Sequence, residues 1–168
     1  MLLSSLTTAM FATSDVVKTR DGAVRGVVTH NYRSFRGIPF ARPPLGALRF
    51  APPQPVQTWT GELDATAYQH NCFQGPTDPK YLPRSTISED CLYLNVWTPP
   101  HANATSSLPV LFFVHGGGFR GGGSNDSVFN GTFDAARHDV IMVTTNCTRD
   151  RPLNRVHPLP GWSSASTR

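Results

Sequence analysis

Apolar positions along this chain gather in short runs bounded by glycine, proline and other turn residues, which is the pattern of strands. Val16-Val17-Lys18-Thr19 and the run Ala23 to Val28 flank Asp21-Gly22, a strong hairpin signal, and Tyr32 to Phe35 offers a third strand. Residues 16–36 therefore predict a small antiparallel meander. Leu92 to Trp97 is the next strand, ended by Pro99-Pro100. Val110-Leu111-Phe112-Phe113-Val114 is unbrokenly apolar between Pro109 and a glycine loop, which predicts a buried strand. Val140 to Thr145 is β-rich and mostly apolar, a second buried strand, and Thr132 to Arg137 has room for one or two helical turns. Strand, glycine loop, short helix and strand make a crossover unit, so the two strands should be parallel with a right-handed connection.

Between these elements the composition changes. Six prolines stand between Gly37 and Pro55, which implies a fixed, extended path over the surface and excludes regular helix or a central strand. From Cys147 onward the chain turns Arg-, Ser- and Pro-rich without apolar periodicity, so residues 147–168 are expected to be a disordered tail. No internal repeat is visible.

The 168 residues can bury one domain's core, and a hydrophobic share of 39% is ordinary for a globular protein. The net charge of +4 comes largely from the tail, where Arg149, Arg151, Arg155 and Arg168 face Asp150 alone. The body is nearly neutral and carries no basic stripe with interleaved aromatics, so no nucleic-acid partner is expected. No run approaches the roughly 20 apolar residues of a membrane span. Residues 1–14 are uncharged and mildly apolar over much of their length, a weak signal or leader segment. Four N-x-[ST] triplets begin at Asn103, Asn125, Asn130 and Asn146. The clustering of Asn103, Asn125 and Asn130 favours a secretory route with N-glycosylation, and Asn146 reads as accidental.

The loop His115-Gly116-Gly117-Gly118-Phe119 carries the chemistry. Successive glycines reach backbone conformations closed to other residues, so their N–H groups can converge on one point. Converging N–H groups at a strand end are what stabilises the oxyanion of a tetrahedral acyl intermediate. The competing reading of such a loop alone is an ordinary glycine-rich turn.

Two further motifs accompany it in order. Gly37-Ile38-Pro39-Phe40-Ala41 continues through Pro43-Pro44-Leu45-Gly46 to Leu48-Arg49-Phe50, and Ser88-Glu89-Asp90-Cys91-Leu92-Tyr93-Leu94-Asn95-Val96 follows. With the glycine loop they resemble the type-B carboxylesterases, the cholinesterase-like branch of the α/β-hydrolases, from about Asp21 to Asn146. The resemblance implies an α/β fold: a small antiparallel meander, then strands of a mostly parallel central sheet, with residues 15–146 as a partial domain. It implies Gly117 and Gly118 as oxyanion donors, His115 as a structural residue and Phe119 beside the gorge. It pairs Cys72 with Cys91 in a disulfide, leaving Cys147 odd, and Arg49 with Glu89 in a buried ion pair. It implies a small carboxylic ester as substrate, with no cofactor and no metal. The 72–91 segment contains no Trp, so it lacks the aromatic wall that holds a quaternary ammonium, and choline esters are disfavoured.

The resemblance also calls for G-x-S-x-G, an acid and a catalytic His, and these 168 residues contain no G-x-S-x-G. Gly161-Trp162-Ser163-Ser164-Ala165 comes nearest, but Ala165 replaces the last glycine and no apolar strand precedes it, so Ser163 is rejected as nucleophile. The family pattern stops at Asn146, which reads as a frameshift, retained intron or early splice end before the nucleophile elbow. The sequence thus predicts a truncated carboxylic ester hydrolase, inactive alone, with a strand edge open to self-association. The alternative is a non-catalytic cholinesterase-like adhesion or binding module, which the glycine loop and the missing remainder of the domain disfavour.

Overall fold

A computed structural model describes residues 13–74, 87–118 and 121–147. Strands β1 (Thr13–Lys18), β2 (Ala23–Val28) and β3 (Arg33–Pro39) form the expected meander. Its first turn is closed by Thr19, whose hydroxyl donates to the Gly22 carbonyl at 2.7 Å and accepts from the Asp21 and Gly22 amides. β3 runs further than Phe35. It passes a register shift between Arg36 and Ile38 and pairs as far as Pro39, opposite Tyr93. A proline ends a strand without loss where its missing N–H falls at the last rung, so the proline-rich stretch starts inside the sheet instead of after it.

Beyond Pro39 the chain is irregular apart from a 3-10 turn at Gly46–Leu48. It returns to the sheet at Trp59, whose indole N–H donates to the Ala23 carbonyl at 2.7 Å. Short β4 (Glu62–Asp64) then adds to β2 in parallel. β5 (Asn71–Cys72) and β6 (Ile87–Ser88) make a separate two-stranded parallel pair. β7 (Tyr93–Thr98), β8 (Val110–Val114), α1 (Thr132–Arg137) and β9 (Ile141–Thr145) complete the order. The mixed main sheet runs β1-β2-β3-β7-β9-β8, with β8 and β9 parallel in register from Val110–Ile141 to Val114–Thr145.

β7 is covered on both sides, as its residue alternation requires. Val96 packs with Val24, Phe35 and Ala65, while Trp97 packs with Ala135 of α1 and with Met142. A third cluster joins Ala41, Leu92 and the two half-cystines Cys72 and Cys91.

β8 departs from the buried strand expected. Val110, Leu111, Phe112 and Val114 are 49–59% exposed, and only Phe113 turns inward, its ring 4.7 Å from that of Phe129. Among the described residues no strand pairs with the outer edge of β8, so burial has nothing to come from there. The leader expected at 1–14 lies outside the described residues save for Thr13 and Ser14, which begin β1; so does the tail beyond Cys147, Ser163 included, as does Phe119.

Candidate functional site

β8 delivers the chain to His115, and the glycine loop closes at once. His115 Nδ1 lies 2.8 Å from the Gly116 carbonyl. A carbonyl only accepts, so Nδ1 carries the proton, and the ring is engaged with its own loop. Gly117 has φ +134° and its carbonyl accepts from the Gly121 N–H at 3.2 Å, so close that a Cβ at Gly117 would collide with the Gly121 backbone. Gly118 follows at φ +58°, and both residues are exposed at the end of the sheet. At Gly122, φ is +106° and a Cβ would fall 2.5 Å from the Gly116 carbonyl oxygen and 2.7 Å from His115 Nδ1. Only glycine fits at Gly117 and Gly122, because the loop folds back on its own backbone there.

Side chains from three other segments hold this turn in place. Gln74 Oε1 accepts from the Gly122 N–H at 2.7 Å, while its Nε2 donates to the Gly122 carbonyl at 2.9 Å and to the Cys72 carbonyl at 3.0 Å. Asn146 Oδ1 accepts from the Ser124 N–H at 2.8 Å, and its Nδ2 donates to the His70 and Cys91 carbonyls at 3.0 and 2.9 Å. Asn95 accepts from the Gly37 N–H at 2.9 Å and donates to the Ser124 and Thr144 hydroxyls, each at 3.1 Å. Sequence reasoning missed all three. For Asn95 and Asn146 the available signal was an asparagine within or directly after an apolar run, where a buried polar side chain must find partners; Gln74 offered none.

The Cys72–Cys91 disulfide is present, with Cα atoms 4.8 Å apart, and it pins β5 to the start of β7. Cys147 stands outside it, its carbonyl 3.2 Å from Cys72 Sγ. Arg49 Nη2 and Glu89 Oε1 are 2.6 Å apart, but the side chains are 49% and 42% exposed. The pair implied as buried is therefore a surface contact here, worth at most about 1 kcal/mol. One residue on, Asp90 accepts from the Tyr93 hydroxyl at 2.8 Å. Burial and that carboxylate push the Tyr93 phenol well above its usual range, so it remains a neutral donor.

The sequons differ in their surroundings. Asn103 and Asn130 are exposed, with Asn130 Oδ1 accepting from the Thr132 N–H at 3.0 Å. Asn125 is half-buried and turns its amide onto the Gln69 carbonyl. Asn146 is buried in the bonds given above. Among the described residues no cluster of His, Cys, Asp and Glu could hold a metal ion, and no helix is long and apolar enough to cross a membrane.

Comparison with known proteins gives a consistent result. A model of the carboxylesterase family matches residues 13–147. The cocaine esterase of Oryctolagus cuniculus is 42% identical over 145 residues, covering 78% of this chain and 27% of that protein. The para-nitrobenzyl esterase of Bacillus subtilis is 39% identical over 137 residues, covering 80% of this chain and 27% of that protein. A solved PNB esterase structure superposes with TM-score 0.72 at 41% identity, over 80% of this chain and 28% of its own. The chain thus spans about a quarter of the length of these relatives.

Proposed function

The chain belongs to the carboxylesterase family, and from that premise we propose that its described part supplies the oxyanion-stabilising wall of a serine hydrolase acting on small carboxylic esters. The observation that carries this reading is the backfolded loop at the end of β8, where Gly117 and Gly122 tolerate no side chain. Attack on an ester carbonyl turns its oxygen into an oxyanion, and the amides of Gly117 and Gly118 donate to that oxygen. Fixed donors of this kind stabilise the developing charge without reorganising during the reaction. His115 acts through loop geometry and takes no part in proton transfer.

The 168 residues contain no G-x-S-x-G, so by themselves they carry the oxyanion donors without a nucleophile to generate the oxyanion. Charge stabilisation by backbone amides, as proposed, calls for no cofactor or metal. Passage through the secretory route fits the Cys72–Cys91 disulfide, with Asn103 and Asn130 as the glycosylation sites and Asn125 disfavoured by its inward amide.

Two assays test the reading. The purified 168-residue chain should show no saturable hydrolysis of p-nitrophenyl acetate or butyrate; turnover that disappears in Ser163→Ala would make Ser163 the nucleophile and overturn this part. Residues 13–146 grafted in place of the matching segment of the Bacillus subtilis esterase should hydrolyse the same esters. In that chimera Gly118→Ala meets no neighbouring atom but strains φ, so kcat should fall by about 10²-fold, the scale of one lost oxyanion donor. A folded chimera without turnover overturns the proposal.

A further inference from the structure

The glycine loop is held in its catalytic shape by something other than its own backbone. Within the loop, the Gly121 N–H to Gly117 carbonyl contact is long, at 3.2 Å. The stronger hold comes from Gln74, two residues beyond a half-cystine and 48 residues from Gly122 in sequence. We infer that Gln74 is the positioning residue of the oxyanion loop, its side-chain amide clamping Gly122 and tying the loop to the Cys72–Cys91 disulfide.

A primary amide carries a donor and an acceptor side by side, as a peptide edge does. Gln74 uses both on one residue, accepting from the Gly122 N–H at 2.7 Å and donating to its carbonyl at 2.9 Å. The remaining amide proton goes to the Cys72 carbonyl at 3.0 Å, so the side chain is locked at its root by the chain it springs from. Cys72 is in turn fixed by its disulfide and by pairing opposite Ser88. The hold therefore passes from disulfide to Gln74 to Gly122, and from Gly122 to His115 and Gly116, against which Gly122 is packed too closely for a Cβ.

The chemistry of the clamp limits what can replace it. Glutamate keeps the acceptor facing the Gly122 N–H but turns a charged oxygen on two carbonyls. Asparagine is one carbon short. Methionine fills the volume and makes none of the three bonds. Gly121 also belongs to the device, since a Cβ there would come within 3.0 Å of Gln74 Oε1.

The clamp itself is tested on the oxidised 168-residue chain by peptide-resolved hydrogen exchange, which does not depend on catalysis. Gln74→Met should raise exchange in the segment 116–123 about tenfold, the equivalent of roughly one net hydrogen bond. Gln74→Glu should recover part of that protection, and the β7 peptide around Trp97 should not change. Unaltered exchange in 116–123, or loss of protection spreading through β7, overturns the assignment. Its catalytic meaning rests on the esterase reading and is tested in the chimera, where Gln74→Met should lower kcat about tenfold or more while KM stays within twofold, by the same accounting. An inactive parent chimera with a responsive loop in the 168-residue chain would sink the esterase reading and leave the clamp standing. An active chimera whose kcat ignores Gln74→Met would sink the positioning role alone.

Discussion

Asn95 is 1% exposed in the middle of β7, and each polar atom of its side chain is used. Its carbonyl takes the Gly37 N–H at the β3 irregularity, and its amide joins the Ser124 and Thr144 hydroxyls at 3.1 Å. One side chain thus fastens β3, β9 and the segment after the glycine loop to one strand. Asn95→Leu keeps the volume but strands a buried N–H and weakens two hydroxyl contacts, so it should cost about 2–4 kcal/mol. Urea unfolding followed by tryptophan fluorescence measures this. A change below about 0.5 kcal/mol would mean that the partners satisfy one another, as Thr144 begins to do by donating to the Ser124 carbonyl at 3.4 Å. That Asn95 is unusual could be read from the sequence, since it interrupts an apolar run. Its partners could not be read, because they lie 58, 29 and 49 residues away. Gln74 was hidden for the same reason: nothing local distinguishes a glutamine that clamps a distant glycine from one that faces water.

At the scale of elements, legibility followed length. β1, β2, β7, β8, α1 and β9 each have five or six residues, with hydrophobic runs or turn signals at their ends. β4, β5 and β6 have two or three residues each and no pattern of their own; they exist because Trp59 and the disulfide bring their backbones alongside neighbours. β5 and β6 are the clearest case, since their parallel pairing joins the two ends of the 72–91 segment. Reduction should therefore do more than release a loop. In the chain-entropy account, opening a ring with sequence separation 19 costs about 3 kcal/mol. The Cys72→Ala/Cys91→Ala variant should lose that much in urea unfolding. It should also raise hydrogen exchange in 116–123, because Gln74 transmits the slack to Gly122. Loss of stability with an unchanged glycine loop would mean that the pairing of β5 with β6 holds the Cys72 backbone without help from the disulfide.

At the scale of the molecule, the deciding feature is the outer edge of β8. Val110 to Val114 carries no charge, and four of its five residues are half exposed. Among the described residues no strand pairs with this edge. Unpaired N–H and C=O groups beside apolar side chains are a template for another chain, and β8 itself carries none of the devices that blunt such edges, with no Lys, no bulge and no proline after Pro109. A second copy can meet this edge antiparallel about Phe112, which would give both chains a partnered strand and cover the same apolar side chains twice. The 168-residue protein should accordingly be oligomeric by light scattering at micromolar concentration. Phe112→Lys should shift it towards monomer, since Phe112 is 52% exposed and its replacement disturbs no packed core. A charge at the centre of the edge would face its own copy across the pairing axis, and that repulsion acts on association without acting on the fold. A monodisperse wild-type monomer that unfolds cooperatively would show that the edge is already closed within the chain, and the reading of β8 as an open strand would then be wrong.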